Sequence, residues 1–233
     1  MWRRSPSRPM SDLPPDPLRI AVIDSGVHPD HPHIDAARLL PGYVIAKDGG
    51  DSEDDTGDRL GHGTAVTAAI QDQAPDALCL PIRVFHDALS TTARALVAAI
   101  DRAVAARVDL INLSLGTVNP AHGEAFAAAA DRALVAGMLI VAARDNEGTP
   151  CYPGSLNQVL GVGLDWDCPR DDYRLRDGLV FASGHPRPIP GVAPRRNLHG
   201  VSFAVANMTG MIARQGRAGM ARWRPAGARA EAG

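Results

Sequence analysis

Asp24, His62 and Ser202 each stand beside glycine, in Asp24-Ser25-Gly26, Gly61-His62-Gly63-Thr64 and Gly200-Val201-Ser202. A carboxylate, an imidazole and a hydroxyl are the groups that nucleophilic acyl transfer needs. A serine hydroxyl is a weak nucleophile near neutral pH, so a base must take its proton, and a third group must fix the tautomer of that base and steady its positive charge. Ser202 is the candidate nucleophile, His62 the general base and later the acid for the leaving amine, and Asp24 the group that orients His62. The flanking glycines predict tight backbone turns that expose each side chain. The plain alternatives are a helix N-cap for Ser202, a capping or core histidine for His62, and a turn or N-cap aspartate for Asp24. All three plain readings must hold at once to remove the chemistry.

The chain order Asp, His, Ser separates this set from constellations that begin with His or with Ser. Order and flanking residues together resemble the subtilisin-like serine peptidases, the subtilase family. Ile20-Ala21-Val22-Ile23-Asp24-Ser25-Gly26-Val27, followed by His31-Pro32, resembles the family's Asp segment, and Gly61-His62-Gly63-Thr64-Ala65-Val66 its His segment. Gly200 to Gly210 resembles the Ser segment, and the likeness extends from Leu18 to Arg214. Leu113-Ser114-Leu115-Gly116 resembles the substrate-binding strand, which implies that Ser114, Leu115 and Gly116 pair their backbone with an extended substrate. An ordinary sheet terminus is the alternative. Val141 to Thr149 resembles the segment with the oxyanion-hole asparagine. That implies that the Asn146 side-chain amide serves the oxyanion together with the backbone N–H of Ser202; a plain turn residue is the alternative.

Three departures from the family pattern bear on specificity more than on catalysis. Val201 stands where the family usually has Thr, Ala206-Asn207 where it has Pro-His, and Arg144-Asp145 where it has Ala-Gly. The resemblance places Ala143 and Asp145 on the wall of the pocket for the residue before the scissile bond. Asp145 there would narrow that pocket or charge it negatively.

These groups need a scaffold that brings distant segments to one edge. Leu18 to Ile23, Ala77 to Phe85, Val108 to Leu113 and Met138 to Ala143 are apolar runs of the kind buried parallel strands show. Gly61 to Ala74, Thr91 to Ala106, Glu124 to Ala136 and Ser202 to Arg214 have helical composition, with Gly137 at a helix C-cap position. Val159 to Leu164 and Leu179 to Ala182 are shorter strand candidates, and Pro186 to Pro194 is a loop. The alternation predicts an α/β, subtilisin-like parallel sheet flanked by helices on both faces, in a single domain. Residues 1–17 read as a Pro-rich N-terminal extension, 18–214 as the catalytic domain and 215–233 as a flexible basic tail. Ligands in such sheets bind outside the carboxyl ends of the strands, where Asp24, Ser114 to Gly116 and Asn146 all fall.

The chain has 233 residues, 45% of them hydrophobic, enough for a substantial core. A net charge of −2 gives no reason to expect nucleic acid as a partner. Three scattered cysteines, Cys79, Cys151 and Cys168, suit neither a disulfide framework nor a zinc site. They read as reduced thiols, with a Cys151 to Cys168 bridge as the lesser alternative. His28, His31 and His33 lack a third element of a metal-ligand spacing and read as solvated loop histidines. The acidic stretch Asp48 to Asp58 offers oxygens for calcium or for a basic substrate, and reads first as a solvated surface loop. No metal and no cofactor are expected. Prolines interrupt Met1 to Pro17 before any apolar secretory core forms, and no run approaches the roughly 18 apolar residues of a membrane span. These features predict a cytoplasmic location and no membrane association.

Secreted subtilases typically carry a long N-terminal pro-segment, and with Asp24 so near the start the expectation is an enzyme that folds without one. Inside a cell such an enzyme must be restrained by narrow specificity. The resemblance therefore implies a serine endopeptidase performing limited proteolysis, its partner being one leader-bearing polypeptide substrate, as for small bacterial subtilases of peptide-modification systems. Two rivals stand beside this reading: a catalytically impaired subtilase-fold protein that holds a peptide without cutting it, and a secreted scavenging protease.

Overall fold

A computed structural model describes residues 16–224. In chain order the elements are β1 (Arg19–Asp24), β2 (Tyr43–Ile45), β3 (Asp51–Ser52), α1 (His62–Gln73), β4 (Leu78–Arg83), α2 (Ala93–Ala105), β5 (Leu110–Leu113) and α3 (Gly123–Val135). There follow β6 (Leu139–Ala143), β7 (Asp145–Asn146), β8 (Thr149–Pro150), β9 (Leu160–Leu164), β10 (Tyr173–Arg176), β11 (Leu179–Ala182), α4 (Val201–Arg214) and α5 (Gly216–Arg222).

Nine strands form one sheet in the order β10-β11-β9-β6-β5-β1-β4-β2-β3. All neighbouring pairs run parallel except the outer hairpins β10–β11 and β2–β3. β1 is central, with β4 on one side and β5 on the other, so the crossovers diverge above its C-terminal end and leave a crevice there. Its continuous apolar run reflects cover on both faces. Ile20 and Val22 join α1 and α4 in one core cluster, whereas Ala21 and Ile23 join α2 and α3 in the other. Each fully buried Ile or Leu in these layers contributes about 1.5–3 kcal/mol of apolar transfer free energy.

The two helix pairs differ because their surroundings differ. From Ser202 to Ala213 every residue of α4 is buried, the mark of a helix enclosed on all sides. Its approach to α1 is close enough that a Cβ on Gly210 would lie 2.5 Å from the Cβ of Gln73. α2 and α3 instead bury one face each and are clamped outside by Arg132, whose guanidinium donates to Asp101 Oδ1 and Oδ2 at 2.8 and 2.9 Å. Thr92 caps α2 by accepting from Ala95 N–H at 3.1 Å, and Gly137, at φ 81°, terminates α3.

The structure corrects the expectation of a flexible tail from Gln215. α5 follows α4 directly, Met220 is 4% exposed, and the Trp223 ring meets Tyr173 edge-on at 5.1 Å. Arg217 bonds both Asp16 and Asp109, tying the two ends of the described chain together. Gly, Ala and Arg dominate that segment and hide its two apolar anchors, Met220 and Trp223. The remainder of the expected tail, 225–233, and most of the expected N-terminal extension, 1–15, lie outside the described residues. The three thiols are free and buried, and burial pushes that of Cys79 up to about 12. Among the described residues no helix is long and apolar enough to cross a membrane.

Candidate active site

Asp24 is the last residue of β1 and is fully buried. Its Oδ1 accepts from Ser25 N–H at 2.8 Å and lies 2.7 Å from His62 Nδ1. An ionised carboxylate only accepts, so Nδ1 carries the proton and Nε2 is left with the lone pair a general base needs. His62 opens α1, where the positive end of the helix dipole disfavours an imidazolium. Burial also would lower its pKa, yet the hydrogen bond with Asp24 and the charges of Asp24 and Asp58 prevail and hold it above the ordinary 6.5.

Ser202 lies in the first turn of α4 and, like His62, is 7% exposed. Its neighbour Phe203 sets its ring 5.7 Å from the imidazole, which brings the start of α4 against that of α1. Gly200 precedes the helix at φ 144° and ψ −178°, a region essentially restricted to glycine. No side chain caps α4, so the first-turn N–H of Ser202 is not consumed by a cap.

The glycines act differently from the expectation that they expose the side chains. Asp24, His62 and Ser202 are all buried. Gly26 and Gly63 serve close approach: a Cβ on Gly63 would lie 2.2 Å from Gly26 O, and one on Gly26 would lie 2.1 Å from Thr56 O. Only bare backbone lets the Asp24-Ser25-Gly26 turn reach the first turn of α1.

Ser114 is buried directly after β5, and its Oγ accepts from Asn112 Nδ2 at 2.9 Å. Asn112 Oδ1 accepts in turn from Thr209 on α4 at 3.0 Å, coupling this edge to the serine-bearing helix. Leu115 and Gly116 line a cavity of about 810 Å³ whose other walls include Phe85, Leu89, Leu96 and Val97. Gly116 has no room for a side chain, since a Cβ would lie 2.2 Å from Tyr152 O and 2.9 Å from Cys151 Sγ. Thr117 and Tyr152 exchange backbone hydrogen bonds of 3.0 and 2.8 Å beside it.

Ala143 ends β6, on the strand next to β5. Asp145 and Asn146 form β7, half of a two-residue hairpin closed through Glu147 and Gly148 at φ 51° and 83°. Asp145 Oδ1 accepts from Gly148 N–H at 3.1 Å, and its Oδ2 lies 3.8 Å from Arg144. Asn146 stands exposed on this hairpin. The structure therefore joins Asp24 to His62 by a direct bond and sets Phe203, the neighbour of Ser202, against the imidazole, while Asn146 is exposed on its hairpin.

Two residues that sequence reasoning passed over matter to this geometry. Within the acidic stretch, Asp48, Asp51, Asp54 and Asp55 are exposed, but Asp58 is half-buried and serves the start of α1. Its Oδ1 accepts from Ser25 Oγ, Leu60 N–H and Gly61 N–H at 2.8, 2.9 and 2.8 Å; its Oδ2 accepts from Thr64 N–H and Oγ1 at 2.8 and 2.6 Å. Burial would raise its pKa, and these bonds from Thr64, Ser25 and Gly61 outweigh it and hold the carboxyl below the ordinary range. A carboxylate four residues before the helix-opening histidine was the available signal. Asn207 is fully buried in α4 and donates from Nδ2 to Ser183 O and His185 O, both at 3.0 Å. It anchors the exit of β11, from which the chain runs to Ser202. His31 and His33 are half-buried along a cavity of about 220 Å³ beside Gly61 and Leu198 rather than solvated.

Residues 17–167 match the model of the subtilase family. The intracellular serine protease of Paenibacillus polymyxa is 30% identical over 216 residues, covering 84% of this chain and 65% of that protein. The structure of the prenylagaramide maturation protease PagA superposes with a TM-score of 0.65 at 25% identity, over 90% of this chain and 79% of that one. A lanthipeptide protease shares the fold, with a TM-score of 0.65 at 20% identity over 84% of this chain and 72% of that one. The chain spans 22%, 65% and 56% of the lengths of three curated relatives it matches.

Proposed function

Because the chain belongs to the subtilase family, we propose that it is a serine endopeptidase that cleaves peptide bonds through an acyl-enzyme. The observation that carries this reading is the 2.7 Å bond between buried Asp24 and the Nδ1 of His62, at the helix start that packs against the one bearing Ser202. Ser202 Oγ attacks the scissile carbonyl carbon as His62 Nε2 takes its proton. The carbonyl oxygen becomes an oxyanion that the Ser202 N–H stabilises, and the family resemblance assigns the second donor to the Asn146 amide. His62 then returns the proton to the leaving amine, and water repeats the sequence to release the acid. Asp24 steadies the imidazolium throughout. No cofactor or metal enters these steps.

Ser114, Leu115 and Gly116 receive the substrate as an added strand, and Ala143 and Asp145 wall the pocket beside it. The substrate class we propose is one leader-bearing polypeptide, cut in a limited way during its maturation in the cytoplasm. The likeness to a maturation protease and to an intracellular serine protease supports both parts. We propose a substrate of the same kind as the cross-linked small subunit of quinohemoprotein amine dehydrogenase, whose leader a subtilase trims.

A fluorophosphonate probe tests the chemistry: wild type is expected to label, and Ser202→Ala to lose the label. Folded wild-type protein that fails to label would favour the peptide-binding alternative. Mass analysis of leader-bearing peptides after incubation with the enzyme tests the substrate class, a single cut at the leader junction being the expected result.

A further inference from the structure

We propose that Asp58 is a positioning residue for this hydrolysis, holding Ser25 and the first turn of α1 so that Asp24 and His62 stay in bonding register. The assignment rests on the peptidase reading for its kinetic consequence and on geometry for the rest. α1 begins at His62 behind Gly61, which has no side chain with which to cap it. The orphan N–H groups of this helix start are taken up from outside: those of Gly61 and Thr64 by Asp58, and that of Gly63 by Ser25 Oγ at 2.8 Å.

Ser25 is the hinge of the arrangement. Its N–H donates to Asp24 Oδ1, and its hydroxyl donates to Asp58 Oδ1 at 2.8 Å while accepting from Gly63. One carboxylate thus ties together the residue after Asp24 and the residues on both sides of His62. Bonds of this charge-assisted kind are the stronger class, and five of them converge on Asp58. The two carboxylates that act on His62 are Asp24 from β1 and Asp58 from the segment before α1; α4 faces the ring with Phe203, which carries no charge.

The test compares Asp58→Asn, Asp58→Glu and Ser25→Ala by two measurements: the pH dependence of Ser202 labelling by a fluorophosphonate, and the NMR titration of the His62 imidazole. Asp58→Asn removes the charge and sets an amide against the donors of Thr64. Its labelling rate is expected to fall about tenfold to a hundredfold, the scale of a displaced reacting group. Its His62 midpoint is expected to move to lower pH. Asp58→Glu keeps the charge and loses the geometry, so the rate falls and the midpoint falls with it as the Asp24–His62 bond loosens. Ser25→Ala behaves likewise, and it decides the matter should Asp58→Asn not fold.

A merely structural role would lower the folded fraction and leave the midpoint of the folded molecules unchanged. An unshifted His62 midpoint in folded Asp58→Glu, or wild-type labelling by Ser25→Ala, would overturn the assignment. Wild type that does not label would instead refute the peptidase reading, with the NMR midpoint still reporting on Asp58.

Discussion

Gly63→Ala places a single methyl group beside the point where the Asp24 turn meets the first turn of α1. The added Cβ would stand 2.2 Å from Gly26 O, 3.0 Å from Gly26 N and 3.1 Å from Ser25 N, all backbone atoms that have no rotamer to change. Restoring an ordinary contact of 3.4 Å requires the first turn of α1 to withdraw by about 1 Å. Overpacking of this size costs about 1–3 kcal/mol. Replacing a helical Gly by Ala returns about 1 kcal/mol, so the net loss of stability is modest. His62 is the preceding residue and moves with the turn, stretching a 2.7 Å bond to Asp24 that depends on that register. A displacement of about 1 Å in catalytic machinery costs about a hundredfold in rate, or about 2.7 kcal/mol. Activity should therefore fall much further than stability. Urea unfolding read by circular dichroism gives the first quantity and the rate of fluorophosphonate labelling gives the second. Labelling at the wild-type rate, or a loss of rate no larger than the loss of folded protein, would refute the reasoning.

His62 must be neutral to act as base, and its pKa is held above 6.5, so the labelling rate should rise with pH through a midpoint above that value and Asp24→Asn should shift the midpoint down. Since the folded protein holds the proton more tightly than the unfolded chain, the stabilisation from His62 is complete below pH 6.5 and is lost as pH rises through its folded pKa. The difference in unfolding free energy between wild type and His62→Gln should accordingly shrink over that range, and a pH-independent difference would contradict it. Asn207→Ala strands the buried carbonyl of Ser183, while that of His185 keeps a bond from Arg170 Nε, which should lower stability by about 1–3 kcal/mol with an unchanged urea m-value. Limited proteolysis of that variant should cut first between β11 and α4.

Much of this molecule was legible one segment at a time. The apolar runs that became β1, β4, β5 and β6 declared themselves because strands buried on both faces read as near-continuous apolar runs, broken in β5 by Asn112. Asp24, His62 and Ser202 stood out because each lies in a short glycine-flanked segment. Gly137 could be placed because a helix end needs a left-handed residue. All of these are local signals, spoken by neighbours in the chain. Only the folded chain could distinguish Asp58 from Asp48, Asp54 and Asp55, since composition treats every carboxylate of that stretch alike. What separates it is Ser25, thirty-three positions away, delivered by β1 to within 2.8 Å. The same holds for Met220, whose burial depends on the surface that α4 leaves open, and for Asn207, which replaces an expected residue yet finds two carbonyls of another element to hold. Residue type and periodicity follow from local steric and solvation preferences and can be read in one dimension. Hydrogen bonds and burial between distant segments depend on how sheet and helices pack, and that packing is set only when the whole core closes.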